Sequence, residues 1–325
     1  MNRFLPSLLT ISVALGLGAL IGALFRRYAQ DQRTLVRWRV HVQRLCLLLL
    51  NPIASIGAVW ILPLRHSGLL FVPAVGVFNL AFGLLVGCLA MALKPLPSAG
   101  QRIGFRLSCS ITNIGSIGGL IVFVLLGEPA FALVPLYKLF EEYWYYGVLF
   151  PYARQQAIKA GLLPNTGQPT GLLRRLFSDP FFVMAVLSIA LGLSLDLSGL
   201  ERPGIFAEIN SWLIPANSFL LLLATGTQIS VRHLPTHWRP ALTVSLLRLA
   251  LVPACTLSFA LLLGFAAGDP MTIKTIVILS MMPIGFTSLV AASLFNFDSD
   301  FISAAWIVSN ASLLLSLPLL SLMLT

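Results

Sequence analysis

Long apolar runs, separated by short polar or basic connections, set the pattern of this chain from end to end. Crossing the hydrocarbon core of a bilayer takes about 20 apolar residues in helical form. The chain supplies that length ten times, over approximately 5–25, 42–62, 69–92, 104–126, 130–152, 180–199, 210–231, 240–264, 271–295 and 301–324. These runs are segments 1 to 10 below. They are continuous and lack the alternation of barrel strands, so helices are predicted. The expected fold class is an all-α membrane protein of about ten transmembrane helices.

Composition sharpens this reading. Hydrophobic residues make up 58% of the 325 and charged residues only 10%, against about 25% charged in an ordinary soluble domain. Lipid is therefore expected to face much of the exterior, and no appended soluble domain is expected. A net charge of +10 raises the question of a nucleic-acid partner. The basic residues fall between apolar runs with no aromatic interleaving, which argues against one. Cys46, Cys88, Cys109 and Cys255 sit inside apolar segments without CxxC spacing and read as small packing residues, not a disulfide or metal set. His41, His66, His233 and His237 fall at segment ends or loops and read as interfacial, so no metal site is expected. The first segment lacks a convincing cleavage site and reads as a retained span.

Charge distribution gives an orientation. Placing the N-terminus outside puts fifteen basic residues in inner connections, including Arg26, Arg27, Arg102, Arg106, Arg154 and Arg239, against Arg3, Arg65 and Arg202 outside. Such asymmetry matches the positive-inside rule and predicts both termini outside, in a bacterial inner membrane. The longest connection, 153–179, carries Pro164, Asn165, Gly167 and Pro169 and reads as a cytoplasmic linker. It divides the chain into five-segment halves, 1–152 and 180–325. An odd number of spans per half turns the second upside down, an inverted repeat of the kind secondary transporters use for alternating access.

Two segments are interrupted near their middles. Segment 4 contains Thr112-Asn113-Ile114-Gly115-Ser116-Ile117-Gly118-Gly119, and segment 9 contains Met282-Pro283-Ile284-Gly285-Phe286-Thr287-Ser288. A shift of 170 residues places Ile114-Gly115 on Ile284-Gly285, Glu128 on Asp298 and Phe131 on Phe301. An unwound stretch frees main-chain N–H and C=O groups, which are costly in lipid unless they line a protein-enclosed hydrated cavity. Half-helix N-termini there favour an anion. Asn113, Gly115, Ser116, Pro283, Gly285 and Thr287 are thus the expected substrate site. The alternative is that these glycines only allow close helix packing, the reading preferred for Gly18/Gly22 and Gly83/Gly87.

Asn113-x-Gly115-x-x-Gly118 followed by Leu126-Gly127, with the stretch Met282 to Thr287, Ala291-Ala292, Phe295 to Asp300 and Leu317-Pro318-Leu319, resembles the auxin efflux carrier family of permeases, in the bile/arsenite/riboflavin-transporter-like superfamily. The resemblance implies ten helices in two inverted repeats, helices 4 and 9 crossing at the substrate site, and movement of small carboxylates: auxin in plants, dicarboxylates such as malate or malonate in bacteria. Two features depart from the family. Gly118-Gly119-Leu120 stands where a proline often follows the motif, and the long cytoplasmic loop of the plant carriers is absent, which argues against auxin.

Other polar positions are candidates. Lys138, Glu141 and Glu142 in segment 5 are spaced to share a helix face. At about 2.5–3.5 kcal/mol or more for a charge at the bilayer centre, they are expected to face the interior, as a structural ion pair or a coupling group. Arg248 in segment 8 reads as a carboxylate ligand, an internal ion-pair partner or a snorkelling residue. Asn51-Pro52 with Ser55 and Pro215 with Asn217-Ser218 repeat a Pro-x-x-Ser pattern; Asn51, Asn217 and Ser218 are either cavity-lining or helix-bonding, and each proline predicts a kink. Thr225, Gly226 and Gln228 are assigned to an inner vestibule. No P-loop, HExxH or GxSxG motif supports ATP pumping or hydrolysis, and no cofactor is expected. The leading reading is a secondary transporter of a small organic anion, coupled to protons, sodium or neither. A passive channel and a non-transporting sensor are the alternatives, and a homodimer stays open.

Overall fold

In the computed structural model the described residues are 4–28, 32–62, 67–165, 180–229, 234–265 and 270–313, with Ser316 and Pro318. Arg3, Arg65, His66, linker residues 166–179, Arg232, His233, Leu317 and Leu319 lie outside them. Among the described residues the regular structure is helical, and the one extended pairing is an antiparallel bridge between Thr112 and Ile284.

Among the described residues, six helices are long and apolar enough to cross a membrane: Leu9–Tyr28, Arg33–Val59, Gly68–Leu93, Pro180–Leu197, Ile205–Gly226 and Leu234–Leu262. They match segments 1, 2, 3, 6, 7 and 8. The remaining four expected segments are short or broken. Segment 4 is Ala99–Ser110 followed, after a gap, by Ile114–Leu126. Segment 9 is Pro270–Ser280 and Thr287–Phe295, and segment 10 begins as Ser299–Ala311. Segment 5 is a chain of pieces from Glu128–Phe131 to Phe150–Lys159, so helix continues to Lys159, beyond the expected linker start at 153.

Prolines leave a regular mark. Pro52, Pro151 and Pro253 each follow a five-residue π turn: Cys46–Leu50, Tyr145–Leu149 and Leu247–Leu251. The residue before each proline bonds five residues back: Asn51 to Cys46, Phe150 to Tyr145 and Val252 to Leu247. A proline cannot donate, and its ring crowds the carbonyl four residues earlier; a widened turn relieves both problems. Pro215, by contrast, sits inside the continuous helix Ile205–Gly226.

The two halves of the sequence interleave in space. Segments 1, 2, 6 and 7 pack on one another, through the pairs 1–7, 2–6 and 2–7. Segments 3, 4, 5, 8, 9 and 10 form a second bundle through 3–4, 8–10, 3–8, 8–9 and 5–9. Glycines allow the closest approaches. A Cβ on Gly18 would strike the Leu223 carbonyl and one on Gly22 the Thr227 carbonyl. On Gly83 it would strike the Cys109 carbonyl, in the segment 3–4 contact. Packing is therefore the role of both glycine pairs. Gly226 belongs to the segment 1–7 contact rather than a vestibule, facing the backbone of Leu15 and Gly18, and buried Thr225 donates to the Leu221 carbonyl at 2.7 Å. Arg26 reinforces it by donating to the carbonyls of Thr227 and Ile229 at 3.0 and 2.8 Å.

Candidate functional site

The interruptions of segments 4 and 9 meet. Asn113 N–H donates to the Pro283 carbonyl at 2.9 Å, and Gly285 N–H donates to the Ile111 carbonyl at 3.3 Å. This exchange is symmetric: a shift of 172 residues carries Ile111 onto Pro283 and Asn113 onto Gly285. The structural register thus differs by two from the 170-residue sequence alignment, and Gly285 corresponds to Asn113 rather than Gly115. The physical reason is local. Thr112 to Glu128 spans two residues more than Ile284 to Asp298, and the π turn Ile114–Gly118 absorbs part of the surplus. Gly285 has no freedom to carry a side chain, because a Cβ there would run into the Thr112 carbonyl.

Side chains from segments 5 and 10 complete the crossing. Thr112 N–H donates to the Tyr145 hydroxyl at 3.0 Å, and Ile284 N–H donates to Ser309 Oγ at 2.9 Å. Asn310 donates to the Ile284 carbonyl at 3.3 Å. Glu141 braces the same point, accepting from Tyr145 at 2.8 Å and from Thr112 Oγ1 at 3.2 Å. The N–H groups of residues 112, 113, 284 and 285 are therefore taken by protein acceptors. This corrects the expectation that the crossing residues themselves present unpaired groups to a solute. The half-helix Ile114–Leu126 follows the crossing, and its first N–H groups have no intrahelical acceptor.

Gly115, at that helix start, lines a cavity of about 60 Å³ between the two bundles. A water needs roughly 10–15 Å³ by this kind of measure, so the space holds a few waters or a small solute. Segment 2 contributes Leu47, Asn51 and Ser55, and segment 6 contributes Phe181, Phe182, Ala185, Ser188 and Ile189. Across from them stand Gly115 and the segment 5 residues Phe131, Val134, Pro135, Lys138, Leu139 and Glu142. Lys138 Nζ lies 3.1 Å from where a Cβ on Gly115 would be.

The expected site residues divide accordingly. Gly115, Asn51, Lys138 and Glu142 line the cavity. Asn113 and Ser116 sit at its helix start, bonded to each other through Ser116 Oγ and Asn113 Oδ1. Pro283 and Gly285 build the crossing, and Thr287 opens the second half-helix. Ser218 is buried in segment 7 outside the cavity lining, and the Asn217 carbonyl accepts from Cys46 Sγ at 3.9 Å. Lys138, Glu141 and Glu142 do not share one helical face. Lys138 and Phe140 leave helical geometry, with ψ of 6° and 12°. Glu141 consequently turns to the crossing, 4.0 Å from Lys138, while Glu142 lines the cavity.

Arg248 is also outside the cavity lining and is 0% exposed, which removes the snorkelling alternative. Its Nη2 donates to Asn79 Oδ1 at 2.7 Å. Asn79 in turn donates to Thr256 and the Ser280 carbonyl, tying segments 3, 8 and 9 together. Asn79, Ser309 and Asn310 were not singled out in the sequence, although each is a polar residue inside an apolar run.

A second polar cluster bridges the bundles where segment 5 begins. Arg202 grips both carboxylate oxygens of Glu128, the Nη2–Oε2 contact being 3.0 Å, and also donates to the Gly57 carbonyl at 2.8 Å. Asn210 donates to the same carboxylate at 2.7 Å and to the Ala54 carbonyl at 3.3 Å. Segments 2, 5 and 7 and the 6–7 connection are held at this one carboxylate. Compared with known proteins, the chain matches no family model and no curated protein.

Proposed function

We propose that the protein is a secondary transporter that moves a small carboxylate across a membrane by alternating access. In this reading its ten segments are two inverted five-helix repeats with both termini outside a bacterial inner membrane, as in the auxin efflux carrier family that its motifs resemble. The observation that carries the proposal is the crossing of two broken helices beside a cavity that lies between two separately packed bundles. Sliding one bundle against the other would present the same cavity to either side. Glu128 and Arg202 stand at the outer end by the charge-derived orientation and hold it closed, so this conformation is the one shut to the outside.

Gly115 and the half-helix start would receive the carboxylate, with Lys138 as its counter-charge and Asn113, Ser116 and Asn51 shaping the pocket. Glu141, hydrogen-bonded to the crossing and close to Lys138, is placed to couple solute binding to a proton or to the state of the crossing. The small size of the cavity favours a transporter over a channel, which needs a continuous polar path.

Purified protein in liposomes loaded with unlabelled carboxylate should accumulate labelled carboxylate faster than empty liposomes, with saturation. Flux linear in concentration without counterflow would indicate a channel. Tight binding without flux would indicate a sensor.

A further inference from the structure

We infer that transport is driven by protons, and that Glu141 carries one proton for each carboxylate moved. The inference rests on the transporter reading above and adds the coupling ion and the site that holds it.

The two oxygens of Glu141 have different surroundings. Oε1 accepts from the Tyr145 hydroxyl at 2.8 Å and from Thr112 Oγ1 at 3.2 Å, and so braces the crossing. Oε2 lies 4.0 Å from Lys138 Nζ, near enough for charge attraction but too far for a hydrogen bond. Lys138 lines the cavity and Glu141 does not. One ammonium therefore stands between a carboxylate of the protein and the place of a carboxylate solute. The ionisable groups that act on Glu141 are Lys138, Tyr137 and Tyr145 of segment 5 and Arg248 of segment 8. Segment 4 meets it with Thr112, and its neighbour Glu142 lines the cavity. Of the two cations Lys138 acts the more strongly, and Arg248 Nη2 is held by Asn79 of segment 3.

A carboxylate bound at Lys138 takes that ammonium for its own charge-assisted bonds. Glu141 is 6% exposed, and a buried carboxylate deprived of its counter-charge is held far more cheaply as the neutral acid. It accordingly gains a proton as the solute binds, drawn from the water on the side to which the cavity is open. The new O–H bond forms on Oε2, so the bonds of Oε1 to Tyr145 and Thr112 persist and the crossing keeps its ties in both states. When the solute leaves on the other side, Lys138 is returned to Glu141, and the proton passes to the water there. Solute and proton thus travel in the same direction, one for one.

The test uses purified protein in liposomes clamped at zero membrane potential, with labelled pyruvate, malate and malonate as probes. When the outside is made more acid than the lumen by about one pH unit, at least one probe should accumulate inside about tenfold, the ratio that one proton per solute sustains. Protein-free liposomes should not accumulate it, and a sodium gradient should accumulate none. Glu141→Gln should abolish the accumulation and make whatever counterflow remains indifferent to pH, whereas a merely structural role would lower counterflow alike at every pH. Counterflow by the unmodified protein with no accumulation in the pH gradient, or with accumulation in the sodium gradient, would overturn the proton inference and leave the carboxylate transporter standing. Neither counterflow nor accumulation of any probe would overturn both. The unmodified protein decides the matter even if Glu141→Gln fails to fold.

Discussion

Gly285 shows how much one absent side chain can decide. Its N–H closes one half of the crossing, and its Cα lies so near the Thr112 carbonyl that a methyl group has no room. Gly285→Ala must push the two broken helices apart, at about 1–3 kcal/mol for overpacking of this kind. We expect a lower melting temperature and at least a tenfold loss of counterflow, a barrier change of about 1.4 kcal/mol, with insertion into the membrane preserved. Wild-type stability in the alanine variant would show that the contact yields easily. Asn113→Ala tests a different link. Its main-chain bond to Pro283 survives, but Ser116 loses the acceptor that orders the half-helix start. Stability should change little while transport falls severalfold, read as a higher KM. An unchanged KM would remove Asn113 and Ser116 from the pocket. The identity of these residues was visible in the sequence as two helix-breaking motifs. Their register was not, because a π turn of unknown position shifts the alignment by an amount that pattern alone does not reveal.

Between elements, the decisive contact is the Glu128 carboxylate. Its side chain is 14% exposed and that of Arg202 11%, so the pair is largely shielded from solvent screening. A charge-assisted bond of this kind contributes about 1.5–3 kcal/mol, enough to shift a two-state equilibrium roughly ten- to a hundredfold. Glu128→Gln and Arg202→Met should therefore favour the conformation open to the outside. In a variant without native cysteines, Ser55→Cys should react faster with an impermeant maleimide from the outside once either change is added. Equal labelling rates would mean that the pair holds the fold rather than the gate. In the sequence Glu128 stood out only as a partner of Asp298 in the repeat, and Arg202 only as a loop charge. A pairing across 74 positions leaves no local periodicity to read.

At the scale of the molecule, two bundles share the chain without respecting its halves, and the cavity lies along their boundary. The proposed orientation concerns the whole chain and is tested as such. A reporter enzyme that folds only outside the inner membrane should be active when fused to either terminus, and a fluorescent protein that matures only inside should be dark there. An active reporter on the 153–179 connection would reverse the orientation and with it the side that Glu128 closes.

Apolar run lengths, the helix-breaking motifs at 112–119 and 282–288 and the bias of basic residues are one-dimensional features, because helix propensity, hydrophobic length and backbone-breaking residues act through neighbours in sequence. They were sufficient by themselves for an all-helical chain, although of the ten expected spans six are helices of membrane-crossing length among the described residues, and for locating where segments 4 and 9 lose regular winding. Only the tertiary structure decided that Tyr145, Glu141, Ser309 and Asn310 satisfy the unwound backbone, that Arg248 lies buried against Asn79, and that Lys138 and Glu142 face a cavity while Glu141 turns to the crossing. Those outcomes depend on which helices become neighbours and on breaks that rotate one residue away from the next. A buried polar group takes whichever partner the packed bundle brings within about 3 Å, however far away that partner lies in the chain.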